Sequence, residues 1–455
     1  MRDRLTDALR TSDAEFADIR IEDVTASQIR FGGKGELEDI GTSKTVGGIV
    51  RALVKGGWGY AKFNDLNNLN RRVEEACESA RLVSREKSHF AHVERVVDEI
   101  TVALERDFRS ISLAQKKAVL EEYNHIILGY HPKVKSSEIR YEDSFRKTWY
   151  ANSEGTYIVD EQPDVYAYIG ANARHGENGQ TAFAYLGGVI GFQVVEGFQG
   201  EAEAIARRAV DLLDAPPVAG GTYTVILNPE FAGSFIHEAF GHLSEADHIH
   251  QNEQLRQFMQ LGRRIGSDIL NVIDDGTLPG QRGTRKYDNE GVPTQKTYLI
   301  RDGILAGRLH SRESAASMNE QPTGSARAVG YHLPPITRMS NTYIDKGTAS
   351  FEDMIRDIKL GVYAVDNIGG ATSQGSFTFS AAYGYMIRNG QIAEMVRDVV
   401  MSGNAFETLM EIDMLSDRVV WGPGGMCGYD QHFPLPVGMG GPFVRVQNVV
   451  VGGRS

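Results

Sequence analysis

Thr222-Tyr223-Thr224-Val225-Ile226-Leu227-Asn228-Pro229 reads as a strand that hands over directly to a helix, and that helix runs on into His237-Glu238-Ala239-Phe240-Gly241-His242. The β-branched and aromatic residues at 222–227 suit an extended backbone. Asn228 can accept a hydrogen bond from a free amide of the first turn. Pro229 has no amide to leave unpaired at the first helical position. Glycine-punctuated strands follow, at Lys296 to Leu309, Thr378 to Arg388 and Phe443 to Val451. Strands and helices therefore come in blocks, with few alternating βαβ units. The expected fold class is α+β: a strand-rich, multi-domain chain with mixed or antiparallel sheets and an active-site helix in the C-terminal domain.

Two imidazoles with a carboxylate between them, joined by a distant thiol at Cys427, are the parts of a hydrolytic zinc site. The familiar helical pattern puts its histidines four residues apart, on one face. Here the separation is five, which on an ideal helix turns the side chains about 140° apart. Both reach one metal only if the helix carries a one-residue bulge or ends near Gly241, where no side chain resists unusual dihedrals. Zinc catalysis needs ligands that leave one position open, plus a base for the proton of a bound water. His237, His242 and Cys427 supply three ligands, and Glu238 is placed to act as the base. A thiolate weakens the Lewis acidity of its metal, so help for the oxyanion is expected. His310, Tyr331, His332 and Arg338 are candidates for contacting the oxyanion or substrate.

Neighbouring residues read differently. His248 and His250 receive no metal role. Glu245 and Asp247 divide evenly between orienting the ligands and lying solvated. A Cys427–His432 nucleophile–base couple is conceivable, but nothing identifiable orients the histidine. Cys427 itself sits in the glycine-rich stretch Trp421 to Gly428, which reads as a loop. Asp274-Asp275-Gly276-Thr277-Leu278-Pro279-Gly280 lacks the alternating acids and closing glutamate of a calcium loop, and reads as a solvated turn.

Further out, residues 17–64 alternate like strands, Ala17 to Glu22 as one and Ser27 to Phe31 as another, with the turn Lys55-Gly56-Gly57 before Trp58-Gly59-Tyr60-Ala61. Residues 66–107 read as helical, and Cys77 fills their apolar stripe. Ser112-Leu113-Ala114-Gln115 fits a capping box opening a helix to about Leu128. Ser136 to Phe192 is strand-rich, Gln199 to Leu213 helical, and Ala215 to Gly221 marks a boundary. Three domains are expected, at 1–108, 109–215 and 216–455.

The whole composition narrows the class. With 455 residues, the chain exceeds one core's usual size. A net charge of −12, from 48 basic and 60 acidic side chains, argues against a general nucleic-acid binder. No stretch approaches the ~20 apolar residues of a membrane span, and no secretory apolar region precedes Ala14. Two cysteines suit a reducing compartment. A soluble cytoplasmic protein is expected.

Several ordered motifs resemble the TldD/PmbA family, in its TldD-like, metal-retaining branch. His237 to His242 looks like that family's HExxxH motif, and Met426-Cys427-Gly428 falls where its distal cysteine lies. Asp274 to Gly280, Pro322-Thr323-Gly324, Pro334 to Thr342, Gly375 to Ser380, and Gly47 to Arg51 with Trp58 to Ala61 are similar to further family segments. The resemblance covers nearly the whole chain. It implies a zinc peptidase that cuts unstructured peptides, a class linked to maturation of modified peptides and removal of antitoxin-like proteins. It implies His237, His242 and Cys427 as Zn2+ ligands and Glu238 as catalytic base. It also implies a dimer around an enclosed chamber, either a homodimer or a heterodimer with a PmbA/TldE-like subunit lacking the metal site. The competing reading is a non-catalytic peptide-binding or assembly subunit with a structural or vestigial metal. Glu238 counts against it, because a structural site has no use for that carboxylate.

Overall fold

Alternating residues pair with their nearest extended neighbours before anything else, and the front of the chain shows this on a large scale. The computed structural model describes residues 1–83, 88–373, 375–428 and 430–452. Seven strands form the first sheet: β1 (Phe16–Gly32), β2 (Glu36–Val54), β3 (Gly57–Phe63), β4 (Val97–Ile100), β5 (Val134–Asn152), β6 (Tyr157–His175) and β7 (Asn178–Gly188). Their order is β3-β2-β1-β5-β6-β4, with β7 also on β6. All ladders are antiparallel except β4 on β6. One sheet therefore runs through residues 16–63 and 134–188.

Helices cover the sheet where its alternation points apolar side chains at them. These are α1 (Arg2–Arg10), α2 (Leu69–Val83), α3 (Leu113–Gly129) and α4 (Gln199–Asp211). Leu5, Val73, Ala76 and Ala80 pack on Ile19, Ile21 and Val50. Leu120, Tyr123, Ile205 and Ala209 pack on Ile139, Tyr141 and Val165. Cys77 is buried in the first of these clusters, as its stripe predicts. Ser112 caps α3 in a full capping box with Gln115.

The structure corrects three local readings. The helix expected over 66–107 ends at Val83, and Val97–Ile100 is a strand; residues 84–87 of that span lie outside the described residues. Val96, Val97, Ile100 and Thr101 are β-branched, which favours the ladder with β6 over a continued helix. The two strands expected at 17–22 and 27–31 are one. The strand expected from Lys296 to Leu309 breaks after Arg301, where Asp302 and Gly303 both take positive φ and turn the chain into Ile304–Leu305.

The C-terminal part holds two further seven-stranded sheets. One runs Ile304–Leu305, Lys296–Arg301, Val272–Asp275, Asn341–Ile344, Leu435–Gly441, Val420–Trp421, with Gly425–Cys427 also on 435–441. The other begins with β8 (Gly221–Leu227), flanked by Leu360–Ser373 and Val444–Gly452. It continues through Val400–Asn404 to Ser376–Arg388, which pairs back onto 360–373 and closes a ring. Between the two sheets lies α5 (Pro229–Ala239), touching Asn341–Ile344 and Leu435–Gly441 on one side and Leu360–Ser373 on the other. Phe235 packs edge-on against Phe377 and Phe379. The architecture is α+β and strand-rich. No helix among the described residues is long and apolar enough to cross a membrane.

Candidate metal centre

Local chemistry fixes both ends of α5. The Asn228 side chain accepts from the Phe231 amide at 3.0 Å, and Pro229 follows at the first helical position. At the other end the helix stops at Ala239. Phe240 leaves helical dihedrals (φ −132°, ψ −37°), and a 3₁₀ turn spans Gly241–Ser244. This break, not a bulge, swings His242 back toward His237. The need for glycine at 241 is steric: a Cβ there would lie 2.1 Å from the Met339 sulfur.

Cys427 arrives from 185 residues away, on the short strand Gly425–Cys427, whose ladder pairs Cys427 with Leu435. The glycine-rich stretch is thus partly a strand, and its hydrogen bonds fix the sulfur. His237 Nε2 lies 2.9 Å from Cys427 Sγ, and His242 Nε2 lies 3.7 Å from it. One donor atom from each of the three residues falls within 4.8 Å of the others. Tetrahedral zinc, with bonds of ~2.0–2.3 Å, sets neighbouring donors roughly 3.3–3.7 Å apart. The 3.7 Å spacing already matches, and the 2.9 Å spacing needs to open by less than an ångström. Two imidazole nitrogens and one thiolate are a zinc-type donor set and leave a fourth position open, so the residues fit the metal.

Glu238 is half-buried, and its Oε2 lies 3.5 Å from His242 Nε2. It therefore stands beside the ligand atoms without needing to be one of them. Behind the three candidate donors runs a buried charge network. Arg338 donates from one nitrogen to Cys427 Sγ at 2.8 Å and from another to Glu245 at 3.0 Å. Glu245 faces His242 Nδ1 at 3.4 Å and His248 at 3.7 Å. Glu245, fully buried, is an orienting group and not a solvated charge. Asp247 is neither: it accepts from the Thr337 amide and hydroxyl, both at 2.7 Å, and braces that segment.

These contacts set protonation. Burial raises a thiol's pKa, but the charge of His237, hydrogen bonds from both imidazoles and Arg338 outweigh it at Cys427, bringing it down to about 5. At His242 burial works against the imidazolium. Hydrogen bonds and charge from Cys427 and Glu245 prevail and raise it to about 10. The metal-free centre is a thiolate–imidazolium pair at neutral pH.

The other sequence candidates are dispersed. Arg338 reaches the centre, but through the sulfur and Glu245. His310, almost fully buried, has its ring nitrogens on Ser314 (3.2 Å) and Glu320 (3.0 Å). Tyr331 receives a hydrogen bond from Asn64 at 2.5 Å and donates its backbone amide to Glu22; His332 meets its ring edge-on. That loop is docked on the first sheet. The sulfur's neighbours are His237, His242 and Arg338, not His432. Asp274, read as solvated, is buried, accepting from the Ser340 amide and the hydroxyls of Ser340 and Thr342. It pins the segment that carries Arg338.

Family comparisons cover most of the chain. The descriptions PmbA/TldA metallopeptidase domain 1, central domain and C-terminal domain match residues 17–80, 106–215 and 220–453. The chain belongs to the PmbA/TldD family. A metalloprotease of Synechocystis is 41% identical over 445 residues, covering 98% of this chain and 96% of its own. A protein of Saccharolobus solfataricus named a zinc metalloprotease TldD homolog is 31% identical over 450 residues, covering 97% of each. The crystal structure of TldE from Thermococcus kodakarensis superposes with a TM-score of 0.77 at 17% identity, over 99% of both chains, and shows the shared fold. Relatives of this chain in the PmbA/TldD family thus carry metalloprotease names, and one of those names specifies zinc.

Proposed function

We propose that the chain is a cytoplasmic zinc peptidase that hydrolyses unstructured peptides or peptide segments, its metal held by His237, His242 and Cys427 in the unit 216–455. The observation that carries this is the convergence of three donor atoms beside a carboxylate that is not needed to bind metal. Zinc held there supplies a Lewis acid that polarises a scissile carbonyl and acidifies a water. Glu238 accepts the proton of the attacking water at its carboxylate and delivers it to the leaving amine. Arg338 and Glu245 hold the sulfur and the His242 ring in place. The units at 1–108 and 109–215 share one strand-rich sheet, and strands of this kind let an extended chain lie against them by main-chain pairing. A dimer, either with itself or with a TldE-like subunit, encloses the site and spares folded proteins; the likeness to TldE supports the second arrangement.

The test is Glu238→Ala in the purified chain, reading zinc content and cleavage of a disordered peptide together. Zinc is retained and cleavage falls by ~10²–10⁴-fold. Undiminished cleavage removes Glu238 from the mechanism. Should the unaltered, zinc-loaded chain bind peptides and never cut them, the non-catalytic subunit reading takes its place.

A further inference from the structure

The face of the first sheet that meets the C-terminal part is charged. Residues two apart along a strand share a face. Glu22 stands opposite Thr148, Thr148 opposite Asp160, and Arg146 opposite Gln162, so Arg20, Glu22, Arg146, Asp160 and Asp164 all point the same way. Most of them are answered from the other side. Arg20 donates to the carbonyls of Gly330 and Leu333, at 2.9 and 2.7 Å, and Arg146 donates to that of Val329 at 2.8 Å. Arg282 grips Asp164 with two nitrogens, both at 2.7 Å, and gives a further bond to the Gly425 carbonyl at 3.2 Å.

Arg285, three residues beyond Arg282, faces the same patch and is answered by nothing. The charges that act on it are those of Arg146, Asp160, Glu22 and Arg20. Among the described residues its guanidinium makes no hydrogen bond and no ion pair, and its Nη1 is buried without a partner. The flanking side chains are all committed: Thr284 donates to the Leu278 carbonyl, Lys286 and Tyr287 hold Asp98, and Asp288 accepts from the amides of Glu290 and Val292. The backbone at 285 is fixed as well, its amide on the Gly276 carbonyl at 3.0 Å and its own carbonyl accepting from the Thr294 hydroxyl. A segment tied down on every side thus presents one unsatisfied group.

The nearby acids are spent or out of reach. Glu22 is shared by Arg20 at 3.2 Å, Arg146 at 3.5 Å and the Tyr331 amide at 3.0 Å. Asp160 accepts from Gln162 instead. Three guanidinium groups therefore face two carboxylates, a surplus of one positive charge in a chain whose net charge is −12. Burial and the charge of Arg146 bring Arg285 down to about 10, so it stays protonated at neutral pH. A guanidinium held in place offers a fork of donors that a carboxylate matches with two parallel bonds. One carboxylate also cancels the surplus, where a phosphate dianion reverses it. Arg146 and Arg285 are both partly open to solvent, so such a group can enter.

We propose that Arg285, with Arg146 beside it, is a carboxylate site for the bound peptide, filled by an aspartate or glutamate side chain or by the peptide's own C-terminus. The inference rests on the peptidase reading and, within it, favours unstructured peptides that present a carboxylate to this face of the first sheet.

The test uses the full chain with Glu238→Gln, loaded with zinc, and fluorescent unstructured peptides of one length without basic residues. One peptide has an amidated end and no acid, a second an amidated end and a single glutamate, a third a free end and no acidic side chain. A peptide with a carboxylate binds about tenfold tighter than the first, and added salt shrinks the difference. Which of the two gains identifies the source of the carboxylate. Arg285→Gln erases the advantage, and Arg285→Lys keeps part of it, as a point charge without the fork. Because Arg285 has no partner to lose, the melting temperature of Arg285→Gln stays at or above that of the parent, a readout that a purely structural arginine lowers. Equal binding of the three peptides overturns the proposal, as does an advantage that survives Arg285→Gln. In the chain with Glu238 intact, a carboxylate advantage in binding with no cut in any peptide sinks the peptidase reading and leaves the site. Cutting all three peptides alike, with equal binding, does the reverse, and binding of none overturns both.

Discussion

Two corners of the C-terminal part set a buried histidine against an acid and an arginine, and only one of them gathers donor atoms. At His310 both ring nitrogens are spent, on Ser314 and on Glu320, and Glu320 also pairs with Arg308. The acid there satisfies the ring directly, and the cluster closes on itself. At His237 and His242 the acid stands one step back. Glu245 holds Arg338 and the far side of His242, and both Nε2 atoms turn toward the sulfur. Each corner combines the same three kinds of group, a ring, an acid and an arginine. What separates them is which atoms remain pointed at a common point, and that is what a metal requires.

Cys427→Ser breaks the comparison most severely. Removing the thiolate from the shared point should cut zinc occupancy to a small fraction and abolish cleavage, as measured by metal analysis of dialysed protein. The same substitution at Cys77, packed in the apolar cluster under the first sheet, leaves zinc content unchanged. Full occupancy in Cys427→Ser removes the sulfur from the ligand set.

Arg338→Gln and Glu245→Gln probe the step behind the ligands. Partners of this kind typically change metal affinity by ~10–100-fold. Arg338→Gln also strands Glu245, fully buried, without its strongest partner, so a loss of roughly 3–5 kcal/mol of stability accompanies it. Glu245→Gln keeps a hydrogen bond to Arg338 and is the milder change. Equal zinc affinity in all three proteins, by competition with a chromogenic chelator, confines Arg338 and Glu245 to folding alone.

The parts of this site that the sequence discloses are those encoded locally. The Asn228 cap and the proline at 229 are set by side chains within a few residues of the backbone they govern. The capping box at Ser112 and the alternation of β1 and β2 belong to the same class. Long-range pairing is different. Nothing near Glu245 announces Arg338, 93 residues on, and the Asp274–Ser340 bonds that position Arg338 looked like a solvated turn. Glu230 and Asp366 meet across 136 positions only because α5 and the strand Leu360–Ser373 pack together. Val97–Ile100 was hidden in an apparent helix because its ladder partner lies sixty residues away on β6.

Protonation sharpens the comparison by a smaller amount. With Cys427 near 5 and His242 near 10, the metal-free centre at pH 7 holds a thiolate but an imidazolium. Zinc needs the neutral ring, so uptake must expel about one proton from His242 and none from the thiol. A raised pKa means the proton is held until pH approaches 10; zinc affinity should therefore rise about tenfold per pH unit between roughly 6 and 9 and flatten above. Calorimetry in buffers of different ionisation enthalpy counts the proton. Release of none, with affinity flat over that range, places the ring already neutral and removes the ion pair from the metal-free state.

The smallest effect belongs to the corner that gathers nothing. His310→Gln removes a ring whose partners are Ser314 and Glu320, at a position almost closed to solvent. Glutamine restores one of the two bonds at best, so about 1–2 kcal/mol of stability is lost. Arg308 still satisfies Glu320, which keeps the cost from growing to that of an abandoned charge. Because no ring atom of His310 faces the sulfur, zinc content and the cleavage rate should stay within about twofold of the parent, a change too small to register a lost transition-state contact. A hundredfold fall in cleavage with zinc and melting temperature intact instead assigns His310 a part in the chemistry, and the distinction between the corners by where their nitrogens point then fails.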